Sequence, residues 1–156
     1  MNPQYWEEVE IGRRRELGTY TFTEEEIIRF AGKYDPQPFH IDPQAAKHSI
    51  FGGIIASGWH TAATWMKLAI AERANSGGAS PLLRAGVSPG YEDMRWLKPV
   101  RPGMTLRYSS KIVGKVELRS RTDFGILLTS NEAHDENGEL VFRFTGKGLV
   151  QRRPKA

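Results

Sequence analysis

The sequence predicts an α+β fold in which one long central helix is wrapped by a curved, mainly antiparallel sheet. Helix-like patterns fill the first half of the 156 residues and strand-like patterns the second, an order typical of α+β proteins. The helix predicted over 58–73 carries small and apolar residues round most of its circumference, so other structure must surround it. Asn137-Gly138, between two strand-like runs, indicates a β-hairpin.

The first helix is predicted to begin after Thr23. Thr23 and Glu26 have the spacing of a capping box, and glutamates in the first turn complement the helix dipole. Because Pro36 disfavours helical geometry at the residue before it, this helix should end just ahead of Asp35. Two prolines then make 35–40 a stiff loop.

The remaining elements follow from breakers and periodicity. Asp42-Pro43 resembles an N-cap followed by proline at the first helical position, which predicts a short helix over 43–47. Asn75-Ser76-Gly77-Gly78 should end the long helix. Strands are predicted over 91–98, 104–117, 123–134 and 139–150. This combination of one buried helix and an enclosing sheet is the pattern called a hot-dog fold.

Length and composition favour a single domain over 1–156, with short polar termini at about 1–15 and 151–156. The chain has no cysteine, which excludes disulfides, thiolate nucleophiles and cysteine metal sites. Residues 1–15 lack the apolar core of a signal peptide. The longest apolar stretch, 54–71, is interrupted by polar residues and does not resemble a membrane span. A cytoplasmic location without a membrane partner is therefore expected.

The charge pattern does not indicate nucleic-acid binding. The net charge is +4, and neither a basic stripe interleaved with aromatic residues nor a recognisable binding module is present. A solvated surface is expected for these charges, with a phosphorylated small molecule as the alternative. Part of the excess lies near the ends of the chain, at Arg13, Arg14, Arg15, Arg152, Arg153 and Lys155.

The most informative stretch is 30–42, which contains Asp35, Pro38 and His40. Their spacing resembles the motif of MaoC-like dehydratases, the (R)-specific enoyl-CoA hydratase family. The glycine-rich segment 51–58 resembles that family's approach to its central helix. The run 95–103, Arg-Trp-Leu-Lys-Pro-Val-Arg-Pro-Gly, resembles its strand leading out of the site, so the resemblance extends over roughly 20–150.

The resemblance implies a hot-dog fold and the reversible addition of water to a trans-2-enoyl-CoA, giving an (R)-3-hydroxyacyl-CoA. It implies catalytic roles for Asp35, His40 and Gly58. In such a reaction a carboxylate can accept a proton from water, and an imidazole can orient that water or share the proton. The N–H of Gly58, at the start of the buried helix, is suited to a developing oxyanion.

The resemblance also implies partners. Coenzyme A enters as part of the acyl-CoA substrate, and neither a metal nor a redox cofactor is expected. A homodimer is expected through the sheets, because pairing covers an exposed sheet edge. For the three arginines at 13–15, contact with the phosphates of coenzyme A is the alternative to a solvated face.

Each proposed site residue has a structural alternative. Asp35 could form only an Asx-type turn, His40 could be a half-buried histidine, and Gly58 could serve close helix packing. Asp42 is better explained as a helix cap than as a catalyst. No metal site is predicted, because the other three histidines lack partners at metal-ligand spacing: His48, His60 and His134.

Two departures from the family pattern concern the substrate. Gln37 stands where many members have asparagine, and Ser57 stands where many have histidine. A thioesterase on the same fold is the nearest alternative function, although such enzymes more often place their carboxylate on the central helix. Here that helix holds only Glu72, near its far end. A non-catalytic acyl-binding module, or one subunit of a two-protein dehydratase, is the third alternative.

Overall fold

The computed structural model describes residues 5–75 and 87–154. A 3₁₀ turn at Trp6–Glu8 precedes all other elements. In chain order these are β1 (Arg14–Thr21), α1 (Glu24–Tyr34), α2 (Pro38–Ile41), α3 (Pro43–Lys47), α4 (Gly58–Asn75), β2 (Gly90–Trp96), β3 (Thr105–Glu117), β4 (Phe124–His134) and β5 (Leu140–Gln151). The predicted α+β class is confirmed.

The strands form one antiparallel sheet in the order β1-β3-β4-β5-β2. The long strands β3, β4 and β5 occupy the middle, and β1 and β2 lie at the edges. The predicted hairpin joins β4 to β5, where Gly138 has a positive φ of 79°, a conformation that glycine adopts at little steric cost. The edge strand β2 is the strand whose end lies at the candidate site described below.

The helix α4 lies against the inner face of this sheet, which confirms the hot-dog architecture. Trp65 of α4 packs edge-on against Phe144 of β5, with ring centroids 4.8 Å apart. Tyr108 of β3 is fully buried and its hydroxyl donates to the Thr61 carbonyl at 3.1 Å. Burial of such aromatic side chains is the main favourable contribution to this packing.

One face of α4 stays uncovered in the single chain. Trp59, Ala63, Met66 and Ile70 recur at helical spacing and all are exposed. The expectation that this helix is wrapped on nearly all sides is therefore wrong for this face of the monomer. The four residues, called here the α4 stripe, lie on the same side of the molecule as the edge strand β2.

Local signals at the helix ends match the structure. The Thr23 hydroxyl accepts from the backbone N–H of Glu26 at 3.3 Å, and Asp42 accepts from the first N–H groups of α3. The helix α1 ends at Tyr34, with Asp35 as its C-cap. The loop predicted over 35–40 is partly wrong, because its second half is the one-turn helix α2.

The N-terminal segment is more ordered than its polar composition indicates. Arg14 and Arg15, predicted on a solvated face, begin β1 and pair with β3. Ahead of them, Trp6 and Val9 are buried against Leu127 and Val150 in a small second core. The segment therefore packs on the central strands β4 and β5 rather than extending into solvent.

Two further sequence expectations concern the ends of α4 and membrane insertion. The predicted breaker at 75–78 lies outside the described residues from Ser76 onward, and α4 is described as far as Asn75. Within 5–75 and 87–154, no helix is long and apolar enough to cross a membrane.

Candidate active site

The fold brings the predicted pair, Asp35 and His40, into direct contact. Asp35 caps the C-terminus of α1, and His40 lies on α2 five residues later. The His40 Nε2 atom is 3.2 Å from Asp35 Oδ2, with the imidazole almost completely buried and the carboxylate about one-fifth exposed. The one-turn helix places the two side chains on facing sides of a short, proline-braced segment.

Two hydrogen bonds hold the Asp35 carboxylate in place. The Ser57 hydroxyl donates to Oδ2 at 2.7 Å, and the Gln37 amide donates to Oδ1 at 2.7 Å. Partial burial raises the pKa of Asp35, but the bonds from Ser57 and Gln37 and the neighbouring His40 outweigh it, so its pKa is lowered. The carboxylate is thereby kept ionised and ready to accept a proton.

His40 is oriented by the backbone. Its Nδ1 lies 2.7 Å from the Ile55 carbonyl oxygen, and because a carbonyl can only accept, Nδ1 must carry a proton. Nε2 is therefore the nitrogen that faces Asp35, and the contact between them is a hydrogen bond only when a proton lies on one of the two atoms. The geometry thus leaves a position for one proton between Asp35 Oδ2 and His40 Nε2.

The N-terminus of α4 presents one unoccupied donor beside the pair. The first N–H groups of a helix have no partner within it. Ser57 accepts hydrogen bonds from the N–H groups of the three residues that follow Gly58. Its hydroxyl accepts from Trp59 N, and its carbonyl accepts from His60 N and Thr61 N. Among the described residues this leaves the Gly58 N–H without a partner, and the helix dipole makes it attractive to a negatively charged oxygen.

These groups share a cavity of about 400 Å³. Asp35, His40 and Gly58 all line it, together with Trp59 of α4 and Trp96 at the end of β2. The Trp96 indole N–H donates to the Gly58 carbonyl at 2.8 Å and the ring packs edge-on against Trp59, centroids 5.5 Å apart. A substrate carbonyl could reach the Gly58 N–H and a water could reach Asp35 and His40 within this one cavity.

The sequence motif predicts Asp35, His40 and Gly58 but not the residues that position them. In the sequence, Ser57 and Gln37 stand out only as departures from the family pattern, yet both bind the Asp35 carboxylate directly. The short serine in front of the helix glycine was the available signal. Trp96 belongs to the run 95–103 that resembles the family's strand leading out of the site, but its contact with Gly58, 38 residues away, is not predicted by that resemblance.

Two of the other three histidines make contacts that indicate a structural role. His60 is buried and stacks on Phe30, with ring centroids 4.6 Å apart, and burial lowers its pKa. His48 contacts the carbonyl of Gln44. Across the part of the chain that the structure describes, no group of three or more His, Asp or Glu side chains could hold a metal ion.

We expect Ser57→Ala to raise the pKa of Asp35, because a hydrogen bond to the ionised form is lost. A carboxyl with a lowered folded-state pKa stabilises the fold above its unfolded pKa of about 4. The variant should therefore be about 1–2 kcal/mol less stable at neutral pH, and this difference should narrow as the pH falls through the folded-state pKa.

Carbon-13 NMR titration of the Asp35 carboxyl and urea unfolding at several pH values measure these changes. Ser49→Ala is the matched control, since the Ser49 hydroxyl binds the Ala46 carbonyl and does not contact Asp35. An unchanged Asp35 titration in Ser57→Ala would contradict the assigned role.

Comparison with known proteins identifies the family of this chain. The model of the MaoC like domain matches residues 7–133. A MaoC-like dehydratase structure from Rhodospirillum rubrum is similar with a TM-score of 0.78 and 34% identity, covering 97% of this chain and 99% of that one. An uncharacterized Bacillus subtilis protein, YdeM, is 31% identical over 146 residues, which are 94% of this chain and 98% of YdeM.

A third relative is named for its activity. Mesaconyl-CoA hydratase from Cereibacter sphaeroides is 35% identical over 74 residues, covering 47% of this chain and 21% of that protein. The matched family model spans most of the chain and includes both halves of the candidate site. Together with the hot-dog architecture and the R. rubrum structure, this shows that the chain belongs to the MaoC-like dehydratase family.

Proposed function

We propose that this protein is an acyl-CoA hydratase or dehydratase that adds water reversibly to a trans-2-enoyl-CoA, giving an (R)-3-hydroxyacyl-CoA. The observation that carries the proposal is the Asp35–His40 contact of 3.2 Å in the same cavity as the N-terminus of α4. The relative named mesaconyl-CoA hydratase supports a reaction of this class on an enoyl thioester.

In the proposed reaction, Asp35 and His40 activate the water. The ionised carboxylate, held by Ser57 and Gln37, accepts a proton as the water oxygen bonds to the β-carbon. The pair then returns one proton to the α-carbon, so that one water is added across the double bond. General acid–base groups of this kind contribute about 10²–10⁴-fold each.

Gly58 is proposed to stabilise the charge that develops on the thioester oxygen. As the β-carbon gains its oxygen, electrons move toward the carbonyl and produce an enolate-like oxyanion. The free N–H of Gly58 and the α4 dipole meet that charge without reorganising. Ser57 keeps the neighbouring N–H groups occupied, so Gly58 is the donor left for substrate at this helix end.

A thioesterase on the same fold is the alternative that the structure disfavours. The acidic residue of the central helix is Glu72, which lies near the far end of α4. Its carboxylate forms an ion pair with Arg15, with the two atoms 2.7 Å apart. It therefore lies away from the cavity that Asp35 and His40 line. A non-catalytic partner subunit is the remaining alternative, and the assay below separates all three.

The test is to follow the loss of conjugated enoyl-thioester absorbance with purified protein and crotonyl-CoA, while free thiol is measured in parallel. Absorbance loss without thiol release is the expected result. Thiol release would instead indicate a thioesterase. No change in either signal across several trans-2-enoyl-CoA chain lengths would contradict an enzyme that acts alone.

We further propose a homodimer formed through the α4 stripe and the free edge of β2. An edge strand offers unpaired backbone groups to a second copy. The stripe lies beside that edge, and Trp59, Met66 and Ile70 are 59%, 41% and 50% exposed. Contiguous apolar surface of this kind marks association sites.

We expect Ile70→Glu to shift the protein to a monomer, because it places a charge within the proposed interface, where it would be buried. Sedimentation equilibrium measures the change. Val113→Glu is the matched control, since Val113 on β3 is similarly exposed, at 45%, but lies away from the stripe. A monomeric wild-type protein, or an unchanged assembly in Ile70→Glu, would contradict this interface.

The proposed reaction uses no metal or redox cofactor, and coenzyme A takes part as the carrier of the acyl group. The cytoplasmic location stays a prediction from the sequence.

A further inference from the structure

A second cavity lies between the C-terminal half of α4 and the inner face of the sheet. Its volume is about 220 Å³, well above the ~15 Å³ that one water molecule requires. Trp65, Ile112 and Leu127 supply apolar walls. The floor consists of small residues of β3, β4 and β5: Ser110, Thr129, Gly146 and Gly148.

Positive side chains surround this cavity. Four cations line it, and among the described residues no Asp or Glu does: Arg13, Arg15, Arg73 and Lys147. Arg15 pairs with Glu72 and Lys147 with Glu92, and neither of these carboxylates lines the cavity. The potential inside the cavity therefore favours a negatively charged group.

Two buried donors of the lining have no hydrogen-bond partner among the described residues. They are the Nε of Arg73 and the indole Nε1 of Trp65, and Trp65 is only 8% exposed. Burial lowers the pKa of Arg73, and the nearby charge of Glu72 opposes this shift. Buried donors without acceptors are unfavourable, so an acceptor supplied by a ligand would stabilise this region.

The floor is open at Gly148 but closely packed at Gly146, where an added Cβ atom would lie 2.6 Å from the Thr129 hydroxyl oxygen. A Cβ atom added at Gly148 would meet nothing within 4 Å, so a larger side chain could fill the space. Unfilled space beneath a core helix reduces stability. A ligand with an apolar chain and an anionic end would fill the cavity and satisfy the free donors together.

We propose that this cavity binds an alkyl chain that ends in a carboxylate, with Arg73 recognising the carboxylate. A groove of about 550 Å³ leads toward it from the candidate site. Three residues of the α4 stripe line this groove, so a second copy bound to the stripe would cover the groove and leave the alkyl chain between the two copies. The groove shares Trp59 with the site cavity and shares Trp65, Met66 and Tyr91 with the cationic cavity. Gly58 and Arg73 are fifteen residues apart on α4, about 22 Å along its axis.

Two sources could supply this chemistry. One is the distal end of an ω-carboxyacyl group whose thioester lies at Gly58, and this source rests on the proposed function. The other is a free fatty-acid-like carboxylate, which would occupy the cavity whether or not the protein is a hydratase. The experiment therefore has a binding arm and a catalytic arm.

The binding arm titrates the intact protein with decanoate and with decanol, an uncharged chain of equal length, by calorimetry. Decanoate should bind wild type about tenfold more tightly than decanol, as expected for a charge-assisted hydrogen bond. Arg73→Met should remove that preference and Arg73→Lys should keep part of it. Gly148→Leu should weaken both ligands by filling the cavity, and Arg107→Gln, at an exposed position of β3, should change neither.

The catalytic arm compares dodec-2-enoyl-CoA with its ω-carboxy counterpart. A preference for the ω-carboxy substrate that Arg73→Met abolishes assigns the cavity to the acyl chain. Preferential decanoate binding without that kinetic preference assigns it to a free carboxylate. Crotonyl-CoA, too short to reach Arg73, reports the proposed hydration separately. Equal affinity of wild type for decanoate and decanol, or a decanoate preference that survives in Arg73→Met, would overturn the proposal.

Discussion

Asp35→Asn should lower kcat for crotonyl-CoA hydration about 10²–10⁴-fold. Asparagine keeps the size of the side chain but cannot accept the proton that water must lose. It also replaces one carboxylate oxygen with an NH₂ group. Ser57 donates to one of these oxygens and Gln37 to the other, and because an NH₂ group cannot accept, one of the two hydrogen bonds is lost. Loss of enoyl absorbance under steady-state conditions measures the effect, with thermal unfolding as the check on folding.

Asp42→Asn is the matched control for this variant. Asp42 lies in the same motif, seven residues downstream, and caps α3 through two backbone N–H groups. Asparagine caps helices about as well as aspartate, so activity and stability should both stay close to wild type. An Asp35→Asn enzyme within tenfold of wild-type kcat would exclude Asp35 as the base.

Combining Asp35→Asn with His40→Ala tests whether the pair acts as a unit. Residues that share one proton-transfer step show non-additive losses, so the double variant should be about as impaired as the worse single one. The shared proton position between Asp35 Oδ2 and His40 Nε2 is the structural reason. Multiplicative losses would instead indicate two independent roles.

Local chemistry explains which parts of the fold were predictable. The Thr23 cap, the stop imposed by Pro36 and the Asp42 cap each depend on residues within one turn, and all appear as predicted. The hairpin at Gly138 is likewise local. Such signals need no knowledge of the rest of the chain.

Elements without a local signal were missed. The strand β1 has no apolar–polar alternation and is interrupted by Gly18, where its register with β3 shifts; its pairing partner lies about ninety residues away in the sequence. The helix α2 has only four residues, too few to show a helical period. Neither could be inferred without the tertiary structure that stabilises it.

In the candidate site, too, some residues could be predicted from the sequence and others could not. The family-like spacing predicts Asp35, His40 and Gly58 as candidate reacting groups, and the structure places all three in one cavity. Their supports are long-range, because Ser57 lies 22 residues from Asp35. The half-uncovered α4 was also not foreseeable, since periodicity reports which faces are apolar but not which are covered by the same chain.

Gly58→Ala should lower kcat about 10²–10³-fold, although alanine retains the backbone N–H. A Cβ at this position would lie 2.6 Å from the Trp96 indole, closer than carbon atoms approach without displacement. Trp96 cannot move freely, because its N–H donates to the Gly58 carbonyl and its ring stacks on Phe142. We therefore expect the start of α4 to shift, which moves the proposed oxyanion donor.

A neighbouring glycine provides the control. A Cβ at Gly53 would meet the Arg101 side chain at 3.8 Å, an ordinary contact, so Gly53→Ala should retain kcat. Adding Trp96→Ala to Gly58→Ala removes the clash and leaves the N–H in place. Partial recovery of kcat for crotonyl-CoA hydration in that double variant would show that the position of the donor, rather than the glycine itself, supports catalysis; undiminished activity in Gly58→Ala alone would contradict the role given to this helix end.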